Sequence, residues 1–219
     1  MPLPYQNRVE AGRQLAEALK QSANRPDVFV LALPRGGVPV AYEIAKALDA
    51  PLDILLVRKL GVPGQEELAM GAVATEGTRV LNTEVIREMA ISDAKIERVV
   101  AEELQASQHR ERAYRGERPA PKIKGRRVIL VDDGLATGAT MRAAIAAVRR
   151  QAPAEIVVAI PVAPPETITA LSEEVDYVIC LATPQPFIGI SEWYKDFAQV
   201  TDAEVRDLLE RAWRNRLEC

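Results

Sequence analysis

Two adjacent carboxylates, Asp132 and Asp133, end an unbroken apolar run, Val128-Ile129-Leu130-Val131, and lead straight into a turn holding Gly134, Thr137, Gly138 and Thr140. A small-residue turn feeding a helix presents free backbone N–H groups and hydroxyls at the positive end of the helix dipole, which seats a phosphate. Carboxylates repel phosphate, yet they hold sugar hydroxyls or a magnesium ion that also bridges phosphate. A phosphorylated sugar with a metal-bound tail satisfies both halves. The pattern is not a dinucleotide fingerprint, because only Gly134 and Gly138 fall in the turn, and not a P-loop, because no lysine follows Gly138. A strand–turn–helix with an ordinary polar turn is the plainer alternative, and the Asp pair with both threonines weighs against it.

Other stretches carry charge or aromatics in comparable places. Pro34-Arg35-Gly36-Gly37 follows the apolar stretch 27–33. The Arg35 guanidinium and the N–H groups near Gly36 and Gly37 can face an anion, although two glycines also serve simply to make a tight turn. The stretch 51–57 ends in Arg58 and Lys59. Basic residues at a strand end are either solvated or, at one carboxyl edge with Asp132 and Arg35, ligands of the same anion. The aromatics of 183–194, among them Phe187 beside Ile188, serve either packing or stacking on a planar base.

Such residues meet only if their strands end together. The runs 27–33, 51–57, 128–131, 155–161 and 175–181 are apolar without regular polar alternation, as strands covered on both faces are. Helical stretches lie between them: 7–21, striped by Val9, Leu15, Ala16 and Leu19; a helix through Val40, Ile44, Ala45 and Leu48; the Ala-rich 141–150; and 164–174. A Thr201/Glu204 capping box opens the last helix, 202–217. This alternation predicts an α/β fold, a doubly wound parallel sheet flanked by helices. The glycine-rich 61–82 predicts a mobile hairpin with arms 69–74 and 78–81, and two helices follow over 82–90 and 92–114, capped by Asn82 and Ser92.

At 128–140 the chain resembles the phosphoribosyl diphosphate (PRPP) signature of the type I phosphoribosyltransferases, in the form closest to adenine phosphoribosyltransferase. The resemblance implies transfer of the 5-phosphoribosyl group from PRPP to a nitrogenous acceptor such as a nucleobase, with release of pyrophosphate and a need for Mg2+, as in nucleotide salvage. It implies that Asp132 and Asp133 hold the ribose hydroxyls and the magnesium, and that Ala136, Thr137, Gly138, Ala139 and Thr140 wrap the 5-phosphate. The 34–37 turn resembles the family's diphosphate loop, which assigns Arg35, Gly36 and Gly37 there and places a non-proline cis peptide at or next to Arg35. Val57-Arg58-Lys59 is similar to a strand end of the orotate enzyme, adding Arg58 and Lys59 to the diphosphate set; Asp132, Asp133, Arg35 and Lys59 are then the catalytic candidates. Phe187-Ile188-Gly189 is similar to the Phe-Val-Val-Gly of purine-salvage enzymes, so Phe187 and Ile188 are candidates for the base. The hairpin stands where the family has a flexible lid, but carries Glu66, Glu67, Glu76 and Arg79 in place of the orotate enzyme's lysines. Residues 82–122 depart from the family pattern as a helical hood inserted into one domain spanning 1–219. Ala136 replaces a carboxylate that acts on the base in hypoxanthine-type enzymes, so an acceptor proton must leave by another route.

Composition narrows the partners. A chain of 219 residues, 48% hydrophobic and 27% charged, fits one globular domain, and a net charge of −3 makes no general case for nucleic acid or membrane. The run 110–127 holds eight basic and two acidic residues with almost no aromatics, and reads as a solvated connector. Its alternative is a PRPP-sensing regulatory module that touches RNA or DNA through that run. His109, in a polar stretch, reads as a surface residue. Cys180 and Cys219 suggest neither a disulfide framework nor a metal site, no apolar run approaches about 18 residues, and no signal-peptide pattern opens the chain. The expected setting is therefore cytoplasmic. The expected partners are PRPP and a small nitrogenous acceptor, with a homodimer the assembly common in enzymes of this kind.

Overall fold

The apolar runs and the breaks between them decide where each element starts. A computed structural model describes residues 3–75 and 77–215; Glu76, Leu217 and Cys219, and the side chain of Glu67, lie outside that description. In chain order the elements are α1 (Arg8–Ala18), a 3₁₀ turn (Lys20–Ser22), β1 (Val28–Ala32), α2 (Gly37–Leu48), β2 (Leu52–Ile54), β3 (Val57–Val62), β4 (Gln65–Ala74) and β5 (Arg79–Leu81). There follow α3 (Thr83–Glu88), α4 (Asp93–Arg115), β6 (Arg127–Val131), α5 (Ala139–Arg150), β7 (Glu155–Val162), α6 (Pro165–Ser172), β8 (Tyr177–Ala182), a second 3₁₀ turn (Ile190–Trp193) and α7 (Asp202–Asn215). Local signals set several ends. The side chains of Asn7 and Asn82 accept N–H bonds at the starts of α1 and α3, and Thr201 Oγ1 accepts from Glu204 N at the start of α7.

Five strands form one sheet in the order β2-β1-β6-β7-β8, every pair parallel. The expected doubly wound architecture is present, and the side-chain alternation of the strands sorts two cores. Val28, Val30, Ile129, Val131, Val157 and Ala159 face α1, α2 and α7 through Leu15, Ile44 and Leu209. Phe29, Leu31, Val128, Leu130, Ile156 and Val158 face α5 and α6 through Met141, Ile145 and Leu171. All five residues of β1 are buried, each large side chain contributing about 1.5–3 kcal/mol, so a one-residue slip would exchange the two cores.

The stretch 51–57 behaves differently from the single strand expected of it. The parallel pairing ends where Leu55 N donates to Ala32 O, and the carbonyl of Leu56 is taken by the N–H of Thr75. From Val57 the chain joins an antiparallel sheet in the order β3-β4-β5, so Arg58 and Lys59 lie within β3 rather than at the end of a parallel strand. The hairpin arms are therefore two strands of a three-stranded sheet, with β4 starting earlier than expected at Gln65. Leu60, Val62, Met70 and Val73 of this sheet share a separate core with Ile91 and with Ile96 and Val100 of α4.

Candidate active site

The end of β6 delivers Asp132 and Asp133 to the carboxyl edge of the sheet, where open parallel sheets place their sites. The turn beyond is held from beneath. Leu135 N donates to Val162 O at 3.0 Å, and Thr167 Oγ1 of α6 donates to Ala136 O at 2.6 Å. Gly138 caps α5 at φ +72°, in left-handed territory, and a Cβ there would lie 3.0 Å from Thr167 Cγ2. Ala136, Thr137, Ala139 and Thr140 are exposed around the helix N-terminus, whose first N–H groups have no intrahelical acceptor. The candidate phosphate loop thus has the form of an open anion cradle.

The 34–37 loop lies directly against the Asp pair. The Pro34–Arg35 peptide is cis, at the position expected. Leu33 N donates to Val131 O at 2.9 Å, joining the ends of β1 and β6. A Cβ on Gly36 would sit 2.0 Å from Asp133 Oδ2, and one on Gly37 would sit 2.6 Å from Val131 O. Only glycine permits that approach. Arg35 Nη1 is 3.8 Å from Asp202 Oδ1 at the start of α7, and the same oxygen accepts the Tyr114 hydroxyl of α4 at 2.5 Å. Burial first, then that carboxylate, pushes the Tyr114 hydroxyl up to about 12.

The two carboxylates differ in their surroundings. Asp132 is partly exposed, and its Oδ1 accepts the Asp133 N–H at 2.8 Å. Its carboxyl is nevertheless surrounded by protein atoms, and that desolvation, followed by the adjacent Asp133 charge, raises it above the usual carboxylate range. Asp133 is buried, and its Oδ2 receives Arg8 Nε of α1 at 2.7 Å. Arg8 also donates to Ala198 O at 2.8 Å and lies 3.8 Å above the Phe197 ring, while the Tyr194 hydroxyl donates to Asp133 O at 2.6 Å. Sequence reasoning missed Arg8, Tyr194 and Phe197. The local signal for Arg8 is faint: a cation in the first turn of a helix opposes the dipole, but nothing nearby in the sequence names its anion.

The remaining candidates lie apart from this cluster. Arg58 Nε bonds Glu103 Oε2 of α4 at 2.7 Å. Arg58 and Lys59 line a cavity of about 570 Å³ between β3, the β3–β4 turn and α4, with Glu66, Arg98, Glu102 and Glu103 around it. Phe187 stacks on Trp193, the centroids 6.4 Å apart, and Ile188 is 79% exposed. Among the described residues no three His, Cys, Asp or Glu side chains form a metal cage, and no helix is long and apolar enough to cross a membrane.

A strand-ending Asp pair, a helix-capping cradle and a glycine loop pressed on the carboxylates define the phosphoribosyl transferase class. Residues 3–192 match the phosphoribosyl transferase domain, and the chain belongs to that family. Two Mycobacterium tuberculosis proteins, each named "Putative phosphoribosyl transferase", are 44% identical over 215 residues, 98% of this chain and 48% of their own length. The chain thus spans about half the length of the curated relatives it matches. The crystal structure of TT1426 from Thermus thermophilus superposes with a TM-score of 0.82 at 42% identity, covering 95% of this chain and 99% of that one.

Proposed function

We propose that the protein transfers the 5-phosphoribosyl group of PRPP to a nitrogenous acceptor and releases pyrophosphate. One observation carries the reading: Gly36 lies so close to Asp133 that the diphosphate-loop candidate and the sugar-binding carboxylates form one surface. A single ligand with a phosphate, vicinal hydroxyls and a diphosphate would engage both.

In this reading Ala136–Thr140 seat the 5-phosphate, the Asp pair orients the ribose, and Arg35, Gly36 and Gly37 face the diphosphate, with Lys59 and Arg58, which lie apart from them on β3 in the free protein, joining on ligand binding as Arg58 leaves Glu103. The acceptor nitrogen donates its lone pair to C1 as the C1–oxygen bond breaks, and the electron pair leaves with pyrophosphate. Catalysis is then mostly orientation and charge stabilisation at a positive, oxocarbenium-like ribose. A proton on the acceptor leaves by a route other than residue 136. Phe187 and Ile188 are the acceptor-side candidates, with nucleobases the first class to try.

Magnesium fits the donor set. Asp132 has no basic side chain within salt-bridge distance among the described residues, and magnesium takes one or two carboxylates and draws its other ligands from water and phosphate. When bound it supplies positive charge against the departing diphosphate. Calorimetric titration of PRPP with magnesium tests the reading. The wild type should bind at micromolar concentrations, and Asp132→Asn, which leaves the Arg8–Asp133 pair intact, should lose most of that binding. Pyrophosphate release across a panel of nucleobases and amines then assigns the acceptor. No binding of PRPP to the wild type would sink the proposal.

A further inference from the structure

The geometry points to Arg8 as a positioning residue of the site, a standing internal counter-ion of Asp133 that keeps the Asp pair from gathering a divalent cation before the ligand arrives. The inference rests on the reading above only for the identity of that ligand.

Three contacts fix the guanidinium. Its Nε holds Asp133 Oδ2 at 2.7 Å, another nitrogen donates to Ala198 O at 2.8 Å, and its plane lies over Phe197 at 3.8 Å. The side chains of Arg8 and Asp133 are only 11% and 12% exposed, so solvent screens the pair weakly. Gly36 closes against the same carboxylate oxygen, and the Tyr194 hydroxyl holds the Asp133 carbonyl. Asp133 is thereby enclosed by α1, the 34–37 loop and the segment after β8. Asp132, one residue earlier, is less buried as a residue, its Oδ1 accepts the Asp133 N–H, and among the described residues no basic side chain pairs with it. Two adjacent carboxylates would carry two negative charges and attract a divalent cation without any substrate. Arg8 cancels one of the charges the pair can carry.

Manganese titrated alone into the full chain, by calorimetry or by its paramagnetic signal, tests this without PRPP. The wild type and Arg8→Lys should bind weakly. Arg8→Met, which keeps a long apolar stem and removes the charge, should bind roughly tenfold more tightly or better, since a second carboxylate is released. Adding Asp133→Asn to Arg8→Met should abolish the gain. An Arg8→Met protein that binds manganese no better than the wild type, or a gain that survives Asp133→Asn, overturns the inference.

Thermal unfolding of metal-free single variants gives a second arm in case Arg8→Met does not fold. Asp133→Asn should lower the midpoint, because Arg8 is left buried without its anion, whereas Asp132→Asn should hold or raise it. Equal losses from both would equally refute the inference. Failure of the wild type to bind PRPP with magnesium would remove the proposed function and leave both of these comparisons decisive.

Discussion

Gly36 shows how little room the site leaves at the scale of one residue. A methyl group there would meet Asp133 Oδ2 at 2.0 Å, and moving that oxygen aside would disturb its 2.7 Å bond from Arg8 Nε. Gly36→Ala should therefore cost about 1–3 kcal/mol in denaturant unfolding and weaken PRPP binding as well. Gly189→Ala is the matched control: its φ of 179° suits any residue and a Cβ there meets nothing within 4 Å, so stability should stay within about 0.5 kcal/mol. The glycines of the 34–37 loop were legible because Pro-Arg-Gly-Gly after an apolar run is a local pattern. Arg8 was not, because it and its anion are 125 residues apart and only folding brings them together.

The long helix α4 is where elements depend on one another most. Its last turn places Arg115 on Asp53 of β2, with 3.1 Å contacts to Asp53 Oδ1 and Ile54 O, and its first half lays Ile96 and Val100 on the small sheet. Burial raises the Asp53 carboxyl, and Arg115 pulls it back down. Between the unfolded value near 3.9 and its raised native value, the folded protein keeps a proton that the unfolded chain has lost, so this group's contribution to stability falls as pH rises. Arg115→Met should widen that interval. Its stability loss, about 3–5 kcal/mol near neutral pH where the carboxylate is left unpaired, should shrink by pH 4.5, as paired melts at the two pH values would show. Ile96→Ala should remove about 2–4 kcal/mol of local packing, and hydrogen exchange should quicken in β3 and β4 while β1 and β6 hold. The sequence pattern marked α4 well but concealed β3. Pro51 to Val57 reads as one apolar run, and nothing polar announces that Leu55 and Leu56 enter opposite cores.

For the molecule as a whole, the parallel sheet was the most legible feature, since five buried runs separated by helical stretches admit few other arrangements. The basic run is instructive in the same way. Arg115 is paired with Asp53, Arg118 lies over Trp213, Arg126 lies over Phe29, and Arg127 is bonded to Glu155. Half of its eight cations therefore serve the fold. Retention on immobilised RNA or DNA should be negligible at about 0.15 M salt, with or without PRPP, and strong salt-dependent retention would revive a regulatory role. The arm before α1 also binds the segment after β8. Tyr5 N donates to Trp193 O and Lys195 N to Tyr5 O, both at 2.8 Å, and Arg8 reaches Ala198 across 190 residues. Such contacts have high contact order and close late. On a ribosome, Asp133 would emerge long before Phe197 and Ala198, and Arg8 would wait for another 190 residues before the surface that docks it is complete. Assembly of the carboxylate cluster should therefore be among the last events of folding, and a nascent chain stalled before residue 194 would carry the signature without a finished site.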